Sequence, residues 1–561
     1  MTKNFPHIIP DIEKWPINQL SKNRGTLVKE MIDYTSQKLS NGKTTEELAG
    51  LLASTIYLEK IRVKTNPWKV DPANEAQYWK KLESELKQNI DKDDAGDLHR
   101  TMLRKIINRY SEEIAGNFSP KTFRFARKLL TFFFKRIYNK GKEAGSLRPW
   151  GNKEKVAEKI KFYGYIDEVR SLFEKGTVVI VPNHFSNLDS ILMGFAIDTK
   201  VGIPAFSYGA GLNLYDQELV AYYINRLGAY KLDRRKKNPI YLATLKSFST
   251  LSIQKGVNTI FYPGGTRSRS GEFEKYIKLG LFGTMMEAQR NLCQKGSDSK
   301  IFVVPMTVGY HFVFEAKSLI QQHLSKEGKE QFISDKKSGE GLRGALGLLR
   351  RMWRKESEVI FNFGQPMDVF GNRVDATGVS YDARNRSLNI LDYFKAGGEL
   401  TTDEQREMRY TNNLGQQILA SFSKENIILE SHLLAFVAFQ YFKRQFPKLD
   451  LYSFLRIPLS ELQIEEAEFK SLIAKAKSLV IDKEVAGQLI CSDSFTLQTD
   501  DFITRGLAYL GSYHKLRPLK LNKTVFQTDD LKLLYYYHNH LVGYQFETVF
   551  ENQQESIVKS A

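Results

Sequence analysis

Read only as a pattern of apolar and polar positions, the chain divides into three parts. Through residue 145, apolar side chains recur at helical spacing among polar ones. Leu48, Leu51, Leu52 and Ile56 do so within Thr45–Glu59, which predicts a helical N-terminal region over 1–145. From 146 to 375, short β-branched runs alternate with longer apolar stretches. Strands are expected at Val178–Val181, Thr259–Tyr262, Ile301–Val304 and Val359–Phe363, and the alternation predicts an α/β domain. From 376 to 561 helical periodicity returns, most strongly in Ile427–Phe442 and in the tyrosine- and histidine-rich Leu531–Phe546. That part is expected to be a helical C-terminal region. The glycine-bearing, charged stretch 141–149 reads as the linker into the α/β part.

One expected helix has a charge pattern of its own. Within Lys121–Lys140, Phe123, Leu130, Phe133, Phe134 and Ile137 fall at helical spacing, with Arg124, Arg127, Lys128, Lys135 and Arg136 between them. Such a basic amphipathic helix suits a membrane interface. It equally suits a core-packing helix with a solvated basic face.

The chemistry concentrates in the α/β part. The run Val178–Val181 reaches Pro182, followed by Asn183, His184 and, five residues after the histidine, Asp189; a second apolar run, Ile191–Ile197, follows. His184 is therefore expected in the turn at the carboxyl end of a strand, where α/β proteins expose reactive side chains. Five helical steps turn a side chain by about 140°, so His184 and Asp189 do not share a face of one helix. They meet if His184 precedes the helix and Asp189 lies in its first turn, with Ser186 as N-cap. The same residues fit a capping box in which Asp189 only caps the helix. Spacing alone leaves both readings open.

A second stretch, Thr259–Gly271, ends a strand at Pro263 and continues as a glycine- and arginine-bearing loop. Gly264 and Gly265 permit close backbone approach to an anion, and Arg267 and Arg269 supply forked donors suited to phosphate oxygens. Thr266, Ser268 and Ser270 add hydroxyls. The Gly-Lys-Ser/Thr ending of a P-loop is absent. A third stretch, Gly228–Lys237, offers Arg234 and Arg235 to the same anion, or else is a solvated charge run.

Composition narrows the partners. The 561 residues carry a net charge of +18, which favours anionic partners: nucleic acid, anionic lipid or phosphorylated substrates. No interleaved base-stacking signature accompanies it, so nucleic acid is not expected. Cys293 and Cys491 form no disulfide framework or zinc spacing, which points to a reducing, intracellular setting. His432, His514, His538 and His540 are scattered over the C-terminal region and are expected in packing rather than on a metal. No run approaches the roughly 18 apolar residues of a spanning helix, and the first residues lack a secretory core. A soluble or membrane-surface protein is expected.

In order along the chain, these elements resemble the four blocks of the glycerophospholipid acyltransferase superfamily. The first is His184 to Asp189, a His-X4-Asp pair. The second is Gly228 to Arg234, the third Tyr262-Pro263-Gly264-Gly265-Thr266-Arg267, and the fourth the strand ending Val303-Val304-Pro305. Thr266–Gly271, Ile240–Phe248, Val304–Tyr310 with Glu315, and Phe361–Asp368 are most similar to the branch that acylates glycerol 3-phosphate and dihydroxyacetone phosphate. The resemblance is clear over 160–375, weak over 400–545 and absent before 120. Gly264 stands where that family carries glutamate, Asp233 where it carries the first of two arginines, and Tyr230-Lys231 in place of its aromatic pair.

The resemblance implies a mixed-sheet α/β acyltransferase domain flanked by helical N- and C-terminal regions. It implies acyl transfer from a thioester, acyl-CoA or acyl-carrier protein, to the 1-hydroxyl of glycerol 3-phosphate, the first step of phospholipid synthesis. His184 would be the general base and Asp189 its partner. Arg234, Gly265, Thr266, Arg267, Ser268, Arg269 and Pro305 would form the substrate-binding set. No metal and no bound cofactor are implied. The protein would sit peripherally on anionic lipid at the cytoplasmic face of a membrane. Lysophosphatidate and dihydroxyacetone phosphate are alternative acceptors. A catalytically inactive scaffold binding lipid or another anion is the alternative of a different class.

Overall fold

The computed structural model describes residues 5–89, 94–139, 160–187, 189–215, 218–327 and 358–551. The linker expected at 141–149 lies outside these, as do the side chains of Phe133, Phe134, Lys135, Arg136 and Ile137. The N-terminal part forms α1 (Pro16–Lys22), α2 (Arg24–Ser40), α3 (Thr45–Thr65), α4 (Glu75–Asn89), α5 (Ala95–Ile114) and α6 (Pro120–Asn139). Helix α3 starts where a capping box dictates: Thr44 Oγ1 accepts from the Glu47 amide at 3.2 Å, and Glu47 Oε2 accepts from the Thr44 amide at 2.9 Å.

The middle part supplies β1 (Ile160–Gly164), α7 (Ile166–Leu172), β2 (Gly176–Pro182), α8 (Asp189–Ala196), β3 (Ser207–Gly211), α9 (Glu218–Arg226) and β4 (Ala229–Leu232). It continues through α10 (Pro239–Gln254), β5 (Thr259–Ile260), α11 (Leu279–Gln294), β6 (Lys300–Tyr310), α12 (Ala316–Glu327) and β7 (Val359–Phe363). These strands build one seven-stranded sheet in the order β1-β7-β6-β2-β5-β3-β4. All neighbours are parallel except β6 and β7, which makes the sheet mixed.

The expected strands are present, Val359–Phe363 with the bounds read from the sequence and the other three with altered lengths. β5 ends at Ile260 because the chain turns at once, the Gly265 amide reaching back to Tyr262 O. β6 extends to Tyr310 because it pairs in two stages. It runs parallel to β2 from Lys300 to Met306 and antiparallel to β7 from Met306 to Tyr310. β1, β3 and β4 escaped the pattern because they lie at or next to the sheet edges and carry no continuous apolar run. The central run Val178–Val181 is fully buried, since both faces of β2 are covered.

The C-terminal part contributes α13 (Glu404–Glu425), α14 (Glu430–Arg444), α15 (Leu451–Phe454), α16 (Glu466–Val485), α17 (Thr499–Tyr509) and α18 (Leu531–His538). It shares the cores of the sheet. On one face Val178, Ile180 and Phe302 belong to a cluster that includes Phe185 of the His184 turn and Leu433, Phe436, Leu534 and Tyr537. On the other face Val179, Val181 and Val303 join Ile253, Phe282 and Met285 with Leu414, Ile418 and Phe422. The N-terminal helices pack Met31, Leu52, Trp79 and Tyr110 against Ile240, Tyr241 and Phe248 of α10.

Of the apolar stripe read from the sequence on helix α6, the two members whose side chains are described face inward, as the core-packing reading expects. Phe123 is buried against Trp15 and Phe118, and Leu130 packs on the main core. The outward residues are Phe125, Leu129 and Phe132, exposed by 51%, 41% and 57%. Spaced i, i+4, i+7, they form one face opposite Phe123.

Candidate active site

β2 delivers the chain to Asn183, whose side-chain amide accepts from the Val308 amide at 2.7 Å and donates to Val308 O at 3.1 Å. The turn that follows is thereby fixed to β6. His184 sits in it, and Asp189 is the first residue of α8. The two meet: His184 Nδ1 lies 2.7 Å from Asp189 Oδ2. The same oxygen accepts from the Phe185 amide at 2.9 Å and the Ser186 amide at 3.0 Å, while Oδ1 accepts from the Tyr310 hydroxyl at 2.7 Å. Asp189 therefore both closes the turn and holds the imidazole. The two readings of the sequence describe one arrangement.

The Ser186 hydroxyl donates to Glu315 Oε2 at 3.0 Å, and the Asn187 amide donates to Glu315 Oε1 at 3.0 Å. Tyr310 is a fixed donor, because burial and then the Asp189 carboxylate push its phenol well above the usual 10. Asp189 is fully buried, whereas the His184 side chain keeps 18% exposure. With an acceptor on Nδ1, the proton resides there and the Nε2 lone pair faces outward. The imidazole rests on the Tyr262 ring, with centroids 4.2 Å apart.

The glycine–arginine loop lies directly against this turn. Its Ser268 amide donates to His184 O at 2.8 Å, and Gly265 adopts a positive φ of 65° to make the bend. Arg267 reaches Glu315 Oε1 at 3.1 Å, and Arg234 donates to Gly265 O. Lys278 adds a cation the sequence reading missed: its ammonium would lie 3.4 Å from a Cβ at Gly265. Thr266 and Arg269 make no side-chain hydrogen bond or ion pair to any described residue. The Ser268 hydroxyl is engaged inside the loop, donating to Glu272 O and accepting from the Gly271 amide.

Two residues of the sequence-derived set fall elsewhere. Pro305 is buried in the middle of β6, opposite Val181, with its carbonyl accepting from the Gly364 amide at 2.9 Å. Arg235 is withdrawn from any ligand: it pairs with Asp71 at 2.6 Å and Asp233 at 2.7 Å. Asp233, which stands in place of an arginine, thus serves to hold Arg235.

The C-terminal part forms the back wall. His540 packs on Phe185 with ring centroids 4.7 Å apart, and Asn539 donates to Ser270 O at 2.9 Å. Burial drives the imidazoles of His514, His538 and His540 down to about 4 and His432 well below its usual value, so they are neutral packing groups. Among the described residues, no three His, Cys, Asp or Glu side chains are arranged to hold a metal ion.

Residues 152–309 match the family model described as Acyltransferase. The chain is 26% identical over 278 residues to a glycerol-3-phosphate acyltransferase of Pseudoalteromonas translucida, covering 49% of this chain and 30% of that protein. It is 26% identical over 270 residues to that of Aeromonas hydrophila, covering 47% and 29%. It is 24% identical over 400 residues to that of Ectopseudomonas mendocina, covering 69% and 42%. The chain therefore spans less than half the length of each of these curated relatives. A crystal structure of 1-acyl-sn-glycerophosphate acyltransferase from Thermotoga maritima aligns at a TM-score of 0.25 and 12% identity, covering 67% of this chain and 96% of that one.

Proposed function

We propose that this chain, whose α/β region is an acyltransferase domain of the glycerol-3-phosphate acyltransferase branch, acylates the 1-hydroxyl of glycerol 3-phosphate from an acyl thioester. The donor is acyl-CoA or acyl-carrier protein. The observation that carries this reading is an imidazole fixed through Nδ1 on Asp189, its Nε2 outward, beside a loop rich in cations.

The hydroxyl oxygen attacks the thioester carbonyl carbon while His184 Nε2 takes its proton. The tetrahedral adduct then expels the thiolate, which takes that proton back from the imidazolium. A C–O bond forms, a C–S bond breaks, and no enzyme nucleophile is consumed. Arg267 and Arg234, with Gly265, Thr266, Ser268 and Arg269 of the same loop, hold the acceptor phosphate. Fixing the phosphate sets the hydroxyl beside His184, which is a proximity contribution. Pro305 supports the site only through β6.

The test offers labelled acyl-CoA with glycerol 3-phosphate, lysophosphatidate and dihydroxyacetone phosphate in separate reactions, then repeats each with acyl-carrier protein. Product from glycerol 3-phosphate is expected. Product from either other acceptor alone would keep the mechanism and change the substrate. No product from any pair would overturn the reading and favour an inactive anion-binding scaffold.

The same reading places the protein peripherally on anionic lipid at the cytoplasmic face of a membrane. Among the described residues no helix is long and apolar enough to cross one. Helix α6 carries no acidic residue, and its outward face presents Phe125, Leu129 and Phe132 beside Lys121 and Lys128. Tyr222 of α9 is exposed nearby, next to Tyr223, which stacks on Phe125. Three large apolar side chains among cations suit insertion at the headgroup boundary. Replacing Phe125, Leu129 and Phe132 with serine should weaken binding to anionic vesicles by about ten-fold or more, without moving the melting temperature. Cosedimentation equal to wild type would exclude this face.

A further inference from the structure

Both peptide groups of His184 are held by the segment 262–274. Its carbonyl takes the Ser268 amide at 2.8 Å, and its amide donates to Glu274 Oε1 at 3.3 Å. The Glu274 side chain also fills the space beside Gly264. A Cβ built there would lie 3.2 Å from Glu274 Cγ and 3.6 Å from Oε1. Oε2 is buried and has no hydrogen-bond partner. Burial, with the Asp189 charge adding to it, pushes this carboxyl up to about 7. A half-satisfied buried carboxyl is a stability cost, so its presence calls for a role other than stability.

We propose that Glu274 is a positioning residue for acyl transfer: by accepting the His184 amide and filling the space under Gly264, it sets the imidazole's distance from the anion-binding loop. This rests on the reading of His184 as the base. Glu274 touches no reacting atom. It acts through the backbone of His184, and glycine at 264 leaves it room. Misplacing a catalytic group by fractions of an ångström is costly to rate while leaving binding largely intact.

The experiment measures kcat and KM for glycerol 3-phosphate in wild type, Glu274→Ala, Glu274→Gln, Gly264→Ala and His184→Ala, with a thermal melt of each. Glu274→Ala is expected to lower kcat by about ten-fold or more with KM changed far less. Glu274→Gln keeps an acceptor of the same shape and should recover kcat to within about three-fold of wild type. Gly264→Ala keeps the Glu274 side chain but crowds it, the added Cβ lying 3.2 Å from Glu274 Cγ, and should lower kcat by about three-fold or more. It keeps the proposal testable if Glu274→Ala does not fold. Wild-type kcat in Glu274→Ala or in Gly264→Ala, or a glutamine variant no better than alanine, overturns the proposal. Activity in His184→Ala would instead overturn the base assignment, so the two failures are told apart.

Discussion

Replacing His184 with alanine should lower acyl transfer by about 10²–10⁴-fold while leaving the protein folded. That range corresponds to roughly 3–5 kcal/mol of transition-state stabilisation. The fold should survive because the imidazole is partly exposed and its side chain bonds only Asp189 among the described residues. Asp189 would keep the Phe185 and Ser186 amides and the Tyr310 hydroxyl. Initial rates and a melting curve on the same preparation decide the matter. A folded variant with undiminished turnover would remove His184 from the reaction. Asp189 offers no such clean separation, since its carboxylate also closes the turn.

Much of the sheet could be read directly from the chain because β2, β6 and β7 are buried on both faces and therefore near-continuously apolar. The edge strand β4 and its neighbour β3 have short, polar or glycine-bearing sequences, and only their neighbours make them strands. The His184–Asp189 pair was legible because both members lie within one turn. Its third member was not: Tyr310 comes to Asp189 from 121 residues away. Arg235 looked available for an anion because its partner Asp71 lies 164 residues earlier in a region that showed no motif. Helix α6 was legible only in part. Apolar residues occur on more than one of its faces, and periodicity named the stripe of Phe123 and Leu130 without singling out the second apolar face. Packing chose Phe123, next to Trp15, and left Phe125, Leu129 and Phe132 outside.

Arg62→Met should destabilise the protein by about 3–5 kcal/mol, the cost of stripping a buried charge cluster of one partner. Against a typical total of about 5–15 kcal/mol, that is a large fraction. Arg62 is buried and contacts three carboxylates: Glu59 at 2.7 Å, Glu75 at 2.7 Å and Asp71 at 3.1 Å. Glu75 also takes Arg109 and the Trp79 indole, and Glu59 takes Asn238 at 2.7 Å. Asp71 carries the cluster on to Arg235, whose neighbour Arg234 reaches the loop beside His184. The N-terminal helices are thus linked, through Asp71 and the Arg234–Arg235 pair, to the glycine–arginine loop beside His184. Burial raises the Glu59 carboxyl above its usual value, and the adjacent Arg62 guanidinium opposes that rise. Without Arg62 the carboxyl rises further. A carboxyl raised in the folded state contributes stability at pH values below its unfolded pKa and loses that contribution as pH climbs through its folded pKa. The deficit of Arg62→Met should therefore be larger at pH 8 than at pH 5.5. Urea unfolding at the two pH values measures it. A midpoint equal to wild type at both would show that Glu59, Glu75 and Asp71 are satisfied without Arg62, and that the cluster does not tie the N-terminal helices to the site.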